Sequence, residues 1–306
     1  MKNTTRGKRP LVADKRSGST SAKKPTTPRK RPVKRRKPTP PRRGGIIGFF
    51  LMILRFFVRL FWAVTWRGTL AVVVVIGLWV GYTATTLPDL EELLDGRARG
   101  SVTLKDYQGA TFAWRGDQFG GVVTAQTVSP NLLHAIVATE DKRFYKHIGV
   151  SPRGIASAIR INLREGRGPL DGHGGSTITQ QVAKLLCLGT PYDPTTGQTE
   201  KEYEQECRRG TLQRKIYEAV YAMAMEAKYS KDDILTIYMN RAFLGAGARG
   251  FEAASQRYFG KSAANVTPAE AAMLAGLLVA PTRFAPTNDL ARSQNRAATI
   301  IRLMNE

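Results

Sequence analysis

Glu140 is the first residue whose surroundings indicate chemistry, because the stretch ATEDKRFYKHIG places its carboxylate among apolar side chains. Leu133, Ile136, Glu140 and Phe144 follow the spacing i, i+3, i+7, i+11, which predicts one face of a helix that continues to Phe144. Burial on that face would raise the pKa of the carboxyl group and suit it to accept a proton near neutral pH. The alternative is a structural ion pair with Arg143, one turn further on.

A second carboxylate, Glu218, lies in the stretch RKIYEAVYAMAMEAKY, which is apolar or small on nearly every side. A helix of this composition is usually buried. Arg214 and Lys215 precede Glu218 by about one helical turn, so the acid lies beside two fixed cations. The group could be a purely structural ion pair, or it could be half of a site for an anionic substrate.

A glycine-rich loop leads into a capped helix in the stretch GHGGSTITQQVAK. Thr177 and Gln180 have the spacing of a capping box, and Ser176 stands just before the cap. The free N–H groups and the dipole at such a helix start favour a bound phosphate or similar anion, with Lys184 close to the same face. The Walker pattern is absent from the sequence, so hydrolysis of nucleoside triphosphates is not indicated.

These candidate residues must be positioned by the part of the chain that can fold. Residues 1–43 carry 17 Lys and Arg against one acid, Asp14, and supply +16 of the formal charge of +23 over 306 residues. With almost no large apolar side chains, this segment is predicted to be a disordered tail. It could be a nucleic-acid arm or a cytoplasmic anchor against anionic lipid, and the segments that follow decide between the two.

Residues 68–87, GTLAVVVVIGLWVGYTATTL, contain no charge and predict a transmembrane helix of about 30 Å. The preceding residues 44–67 are also apolar, but arginines and tryptophans fall on one stripe, which favours a helix lying in the cytoplasmic interface over a second span. The excess of Lys and Arg before the span predicts a cytoplasmic N-terminus, with everything after Leu87 outside.

The exported part is predicted to be mainly α. Residues 88–127 are assigned to a linker and a small β region, in which alternation around the turn YQGA predicts a short hairpin. Helical periodicity dominates residues 128–306, which we assign to one domain of some 180 residues. In an oxidising compartment Cys187 and Cys207 could close the polar segment between them as a disulfide, or they could remain thiols.

Five stretches together resemble the ordered motifs of the peptidoglycan glycosyltransferases, the family that includes the transglycosylase domain of class A penicillin-binding proteins and the monofunctional transglycosylases. They are EDKRFYKHIG, GGSTITQQ, RKIYE, YSKDDILTIYMNRAFLG and RGFEAASQRYFGK. The resemblance implies a lysozyme-like helical fold against the outer leaflet of a bacterial inner membrane. It also implies a transferase that polymerises lipid II into β-1,4-linked glycan strands.

Two acids carry the chemistry that the resemblance implies. Glu140 matches the catalytic base, which takes the proton from the 4-hydroxyl of the acceptor sugar, and Glu218 matches a second carboxylate near the donor's pyrophosphate. The remaining matches form a predicted substrate-binding set, in which Asp141 orients loop backbone or Arg143, a structural hydrogen bond is favoured for His147, and Asn240 is a scaffold residue beside the cleft. The set is Asp141, Arg143, Phe144, His147, Gly175, Ser176, Thr177, Gln180, Gln181, Lys184, Arg214, Lys215 and Asn240.

Two features depart from the family pattern. Residues 187–207 form a longer segment between the second and third motifs, after which Arg208 or Arg209 could take the place of another arginine near the pyrophosphate. The transpeptidase motifs S-D-N and K-T-G are absent, and the S-x-x-K match is SAKK in the tail, so the enzyme is either monofunctional or the N-terminal part of a bifunctional class A protein. The sequence requires no cofactor with certainty and does not identify a metal, although a divalent ion, Mg or Mn, could assist at the pyrophosphate.

The expected partners are lipid II and the growing glycan strand, membrane lipids and other cell-wall synthesis proteins, and no nucleic acid is expected. Two other functions compete with this prediction. A lytic enzyme of lysozyme type would share the fold and a catalytic glutamate, but it would need a positioned water and no cations for pyrophosphate. A membrane-tethered scaffold would use the basic tail to recruit DNA or proteins and would not be an enzyme.

Overall fold

The structure is a computed structural model, and it leaves the tail (residues 1–43) and Arg208 outside the part of the chain that it describes. The described residues are 45–94, 102–109, 111–115, 118–169, 172, 174–190, 192–207 and 209–306.

Helices account for most of the described chain, as the periodicity of the sequence predicts. Twelve α-helices are present in the described ranges, and they are numbered here in chain order. They are α1 (Ile46–Thr86), α2 (Leu90–Leu94), α3 (Pro130–Glu140), α4 (Pro152–Arg164), α5 (Ile178–Leu185), α6 (Glu200–Cys207), α7 (Leu212–Lys228), α8 (Lys231–Arg241), α9 (Phe251–Phe259), α10 (Pro268–Leu277), α11 (Pro281–Phe284) and α12 (Leu290–Met304).

Four short strands form two separate ladders. β1 (Val102–Lys105) pairs antiparallel with β2 (Thr111–Arg115). β3 (Gln118–Phe119) pairs in parallel with the distant β4 (Ala248–Arg249), which lies between α8 and α9. The residues after β2 therefore join the helical part of the chain instead of extending the first ladder.

α1 is one uninterrupted helix of 41 residues, about 60 Å long. It includes almost all of the predicted interfacial segment 44–67 and the predicted span 68–87. Within the described ranges it is the one helix that is long and apolar enough to cross a membrane. This agrees with a single span, whereas the division into two helical segments stays a prediction.

The last turns of α1 and the chain that follows contact α7 and α8. The rings of Trp79 and Tyr217 meet edge to face with centroids 5.0 Å apart. Lys228 Nζ donates to the carbonyl of Leu87 at 2.5 Å, and Arg241 Nε donates to the carbonyl of Leu93 at 3.0 Å. These contacts attach the C-terminal end of α1 to the helices that carry the candidate site.

α8 is the central helix of the core, because its side chains are buried on every side. Residues 234–239, ILTIYM, are all buried, which explains why this segment lacks the polar stripe of a surface helix. α5 packs against both α7 and α8, while α10 packs against α3 and α12. The core therefore fixes α3, α5 and α7, the three helices whose ends carry the predicted chemistry.

α3 ends at Glu140, so the prediction of a helix that continues to Phe144 is wrong. Asp141 has φ −157°, outside the helical region, because its side chain is bound to His147 and to the backbone N–H of Ile178. A 3-10 turn follows at Phe144–Lys146, and the Phe144 ring is still fully buried. The carboxylate of Glu140 thus lies at a helix end instead of in the middle of a helix.

Candidate active site

Glu140 is held by a hydrogen-bonded chain that crosses three helices. Gln181 Nε2, from α5, donates to Glu140 Oε2 at 2.9 Å. The Gln181 Oε1 atom accepts from the hydroxyl of Tyr238 in α8 at 3.0 Å, which fixes the orientation of the amide. Tyr238 is 2% exposed, so this support comes from the core of the domain.

The pKa of Glu140 is raised above its ordinary value, chiefly because burial disfavours the charged form, and the charge of Asp141 adds a smaller contribution in the same direction. The hydrogen bond from Gln181 and the positive charge of Arg296 oppose this shift by stabilising the carboxylate. Arg143 donates to Ser151 Oγ at 3.3 Å, so the predicted alternative of a Glu140–Arg143 pair is not what the structure contains. A carboxylate with a raised pKa is suited to accept a proton.

Asp141 links the first motif to the start of α5. Its Oδ2 atom lies 2.8 Å from His147 Nε2 and accepts from the backbone N–H of Ile178 at 3.2 Å. Both side chains of the Asp141–His147 pair are 7% exposed. Asp141 therefore orients loop backbone, which is one of the two roles predicted for it, and His147 makes a structural hydrogen bond.

The start of α5 has the predicted capping box. The Thr177 side chain accepts from the N–H of Gln180, and the Gln180 side chain accepts from the N–H of Thr177. The Thr177 hydroxyl also donates to the carbonyl of Gly149 at 2.5 Å, which is a second connection between the first and second motifs. The loop that leads into this helix is held close to α4, because a Cβ on Gly175 would lie 2.7 Å from the backbone of Ile155.

Glu218 and Lys215 form the second charged group of the site. Lys215 Nζ donates to Glu218 Oε1 at 2.6 Å and to Ser176 Oγ at 2.8 Å. Glu218 is 2% exposed, whereas the side chain of Lys215 is 49% exposed. The buried acid therefore holds a cation that faces solvent beside the start of α5.

One short segment, residues 176–181, connects the two carboxylates, and we call it the α5 entry segment. Ser176 contacts the Lys215–Glu218 pair at one end, and Gln181 contacts Glu140 at the other. Ser176 and Thr177 precede the helix and residues 178–181 form its first turn, so the two attachment points are at most about 12 Å apart. The structure thus brings together acids that are far apart in the sequence.

Arg214 lies one residue before Lys215 and has one edge of its guanidinium group bound to backbone. Its Nη1 atom donates to the carbonyl of Arg209 at 2.7 Å. Its Nη2 atom is buried without a hydrogen-bond partner in the described part of the chain. Lys184 is exposed on α5, one turn beyond Gln181. Of these cations, Lys215 is the one that contacts the α5 entry segment directly in the described contacts, through Ser176.

Two predicted site residues have scaffold positions. The Asn240 amide accepts from Val123 N at 3.0 Å and donates to the carbonyls of Val123 at 2.6 Å and Thr236 at 2.7 Å, so backbone groups engage both ends of it. The ring of Phe144 is fully buried and packs under Lys231 Nζ, 4.4 Å from the ring centroid. Asn240 therefore holds loop backbone against α8, and Phe144 belongs to the core.

Sequence reasoning missed several supporting residues. Glu226 Oε1 accepts from Lys231 Nζ and from Thr179 Oγ1, each at 2.6 Å, and Lys231 also donates to the carbonyl of His147 at 2.7 Å. Glu226 could have been identified from the sequence, because an isolated acid in an apolar helix is usually buried and needs a partner. For Arg296, whose charge acts on Glu140 from α12, the sequence contains no such signal.

The described residues give no support for a metal held by the protein itself. Within those residues, no three His, Cys, Asp or Glu side chains cluster as metal ligands would. The Glu218 Oε1 atom is already engaged by Lys215. The predicted assistance by Mg or Mn therefore has no ligand set of its own here, and we derive no chemical step through a metal.

A cavity of about 260 Å³ lies between the end of α1 and α7. Its walls include Trp79, Thr83, Leu188, Tyr217 and Tyr221. Burial raises the pKa of Tyr221 to about 12, so its hydroxyl stays protonated. This cavity is separate from the hydrogen bonds of Glu140 and is formed on the side of α7 that meets the apolar helix.

The structure contains a disulfide between Cys187 and Cys207, whose Cα atoms are 5.2 Å apart. The bond closes the segment 187–207, which is longer than the sequence motifs lead us to expect. Within the segment, Glu204 Oε1 pairs with Arg249 Nη2 at 3.0 Å, which attaches α6 to β4.

A helical domain whose charged groups meet at the α5 entry segment defines the class of this protein, and the comparisons agree. The chain belongs to the transglycosylase family, whose model, described as Transglycosylase, matches residues 108–305. It is thus a peptidoglycan transglycosylase domain, homologous to the glycosyltransferase regions of class A penicillin-binding proteins.

Three relatives show how the chain compares with characterised proteins. It is 35% identical to penicillin-binding protein 1A of Aquifex aeolicus over 76% of this chain and 30% of the relative. It is 34% identical to penicillin-binding protein 1A of Escherichia coli over 74% and 24%, and 38% identical to penicillin-binding protein 2a of Streptococcus pneumoniae over 61% and 22%. The chain therefore spans less than a third of the length of these relatives.

Among solved structures, the crystal structure of penicillin-binding protein 1A from Haemophilus influenzae is similar at 21% identity. The match covers 67% of this chain and 18% of that one, with a TM-score of 0.34.

Proposed function

We propose that this domain polymerises lipid II into β-1,4-linked glycan strands and releases undecaprenyl pyrophosphate. The observation that carries the proposal is the arrangement at the α5 entry segment. A carboxylate with a raised pKa, Glu140, is bound to one end of the segment, and the Lys215–Glu218 pair is bound to the other. A proton acceptor close to a fixed cation is what a glycosyl transfer with an anionic leaving group requires.

In this proposal Glu140 is the general base. It accepts the proton of the acceptor sugar's 4-hydroxyl while that oxygen forms a bond to the anomeric carbon of the donor. The bond from the anomeric carbon to the pyrophosphate breaks on the opposite face, which inverts the configuration and gives a β-1,4 linkage. No covalent sugar–enzyme intermediate is needed.

The donor's pyrophosphate is proposed to bind at the cations beside the start of α5. Lys215 and Arg214 supply positive charge, and the Ser176 hydroxyl supplies a further hydrogen-bond donor. The backbone N–H groups of Thr177, Ile178 and Gln180 are already bound within the protein, so the start of α5 contributes its dipole and not the free N–H groups that the sequence predicts. Because the pyrophosphate leaves as an anion, such fixed charges stabilise it without a strong acid. Glu218 serves to hold Lys215 in position.

Gln181 is proposed to set the basicity of Glu140. Its N–H bond stabilises the carboxylate, so that part of the base is ionised near neutral pH although burial favours the protonated form. Tyr238 keeps the Gln181 amide from rotating, since the tyrosine hydroxyl donates a hydrogen bond to Gln181 Oε1.

α1 supports a proposal for the location of the enzyme. We propose a lysozyme-like domain outside a bacterial inner membrane, anchored by one span with a cytoplasmic N-terminus, so that lipid II in the outer leaflet reaches the cleft. Membrane lipids and cell-wall synthesis proteins are the further partners expected, and the basic tail is assigned to the cytoplasmic membrane surface.

The experiment is to give the purified full chain lipid II and, separately, finished glycan strands. Polymer formed from lipid II, with finished glycan left intact, is the result that the proposal predicts. Cleavage of finished glycan without polymerisation would instead assign the domain to the lytic class.

A further inference from the structure

The disulfide connects the two helices that carry the proposed donor site. Cys187 lies two residues after the end of α5, and Cys207 is the last residue of α6, four residues before Thr211, the N-cap of α7. The bond spans 20 positions of sequence. It therefore replaces a long connection between α5 and α7 with a short covalent one.

The turn at Cys187 requires such a restraint. Cys187 and Leu188 have φ values of 50° and 56°, in the left-handed region that side chains other than glycine disfavour. Gly189 follows with φ 80°. Cys187 and Leu188 are therefore the two strained residues, whereas glycine adopts this conformation freely, and a restraint on the neighbouring chain helps to hold them in it.

The chain just after Cys207 contacts the proposed donor site through the backbone carbonyl of Arg209. Arg209, two residues after Cys207, accepts from Arg214 Nη1 at 2.7 Å. The Nη2 atom of Arg214 is buried and has no hydrogen-bond partner in the described ranges. A guanidinium group with one edge bound to backbone is held in a fixed orientation and keeps further donors for an anion, which suits it to recognise a pyrophosphate.

We propose that the Cys187–Cys207 disulfide and the Arg209 carbonyl are positioning elements that hold Arg214 for the pyrophosphate of the donor. The inference rests on the proposed function, because it takes the pyrophosphate group as the anion at this site. A dithiol would open the bond by transferring two electrons and two protons, which gives two cysteine thiols and the oxidised dithiol. Full affinity for the donor would then exist only in an oxidising compartment.

The state of the cysteines is tested first, by alkylation of protein purified from an oxidising compartment. A mass increase on alkylation only after reduction is the expected result. Free thiols in that protein would overturn the proposal.

The positioning role is tested by a double-mutant cycle with farnesyl pyrophosphate as the probe, measured by titration calorimetry on the full chain. The four proteins are the unmodified chain, Cys187→Ser with Cys207→Ser, Arg214→Gln, and all three changes together. Removing the disulfide should weaken binding about tenfold in the presence of Arg214 and less than twofold in its absence. An equal loss in both backgrounds would show that the bond does not act through Arg214.

A second experiment tests the same role without the serine substitutions, in case the serine variant does not fold. The folded chain and its Arg214→Gln variant are reduced with a dithiol and reoxidised, and the same affinities are expected to fall and recover only where Arg214 is present. Loss of affinity in both proteins would overturn the proposal. Lipid II polymerisation is measured separately, so tight probe binding without polymerisation would refute the proposed function and leave the positioning role standing.

Discussion

Glu140 is the residue whose protonation state decides whether the proposed reaction proceeds. Burial raises its pKa, while Gln181 and Arg296 lower it. The base must be ionised to accept a proton, so activity should be lost as the pH falls through this raised pKa. The strength of the base is therefore set by neighbours from α5 and α12, which are far away in the sequence.

The variant Gln181→Met tests this balance. It removes an N–H donor that stabilises the carboxylate, so the pKa of Glu140 should rise further and the acid limb of the rate–pH profile should move to higher pH. The polymerisation rate at neutral pH is expected to fall about tenfold and to recover partly at alkaline pH.

The control is Gln126→Met, which changes an exposed glutamine bonded to Asp232. Its pH profile should match that of the unmodified protein. A Gln181→Met profile that stays in place would show that the amide does not set the basicity of Glu140.

Sequence patterns predicted part of this site at the level of individual side chains. The capping box of Thr177 and Gln180 follows from local spacing and is confirmed. Gln181 and Glu140, which share a hydrogen bond, are 41 positions apart in the sequence. Their contact depends on how α5 packs against α3 and α8. No local pattern encodes such a bond, because tertiary packing alone brings the two residues together.

The ends of the helices carry the site, and their geometry was harder to predict than their existence. The periodicity that indicated α3 continues to Phe144, yet the helix stops at Glu140 because Asp141 binds His147 and the start of α5. The spacing of apolar residues predicts which side chains are buried, and Phe144 is indeed buried. It does not predict that the helix continues, because a ring in the 3-10 turn after the helix end is buried equally well.

Gly149 tests how tightly the first motif is packed against α7. It has φ +84°, and a Cβ there would lie 2.7 Å from the backbone of Ala222. Gly149→Ala should therefore cost about 3 kcal/mol, from backbone strain and a clash with a helix that cannot move, and lower the melting temperature by about 10 °C.

Gly166→Ala is the matched control, since Gly166 has φ +71° with nothing within 4 Å of a Cβ. It should show the backbone strain alone, about 1 kcal/mol or ~3 °C. Equal melting temperatures for the two variants would mean that the close approach to α7 does not constrain the motif.

The molecule as a whole combines an apolar helix, a transglycosylase domain and a strongly basic N-terminal segment. Charge, an uncharged run of 20 residues and helical periodicity predicted a basic tail, a membrane span and a mainly helical domain, whereas the transglycosylase family was predicted from five motifs. Composition could not decide whether the apolar residues before the predicted span belong to the same helix, and α1 includes them from Ile46 onward. Apolar residues with occasional arginines suit an interfacial helix and an extended span equally well.

Deleting residues 1–43 separates the enzyme from the scaffold alternative. All of the groups proposed for catalysis lie after Leu133, so lipid II polymerisation in detergent should remain within about twofold of the full chain. A loss of polymerisation on deletion would assign a catalytic or recruiting role to the tail.

The central claim is that the carboxylate of Glu140 is the base, and Glu140→Gln tests it most directly because glutamine keeps the shape and removes the basicity. Since burial raises the pKa of Glu140, the folded protein holds its proton more tightly than the unfolded chain, and stability falls as the pH rises above the ordinary value. The variant should therefore melt no lower than the unmodified protein at neutral pH.

The measurement is the rate of lipid II polymerisation by Glu140→Gln, with Glu202→Gln as the control because that glutamate is exposed and a glutamine can replace it in its cap. The account predicts a loss of at least about 100-fold for Glu140→Gln and no change for Glu202→Gln. A Glu140→Gln protein that polymerises lipid II at the rate of the unmodified chain would contradict it.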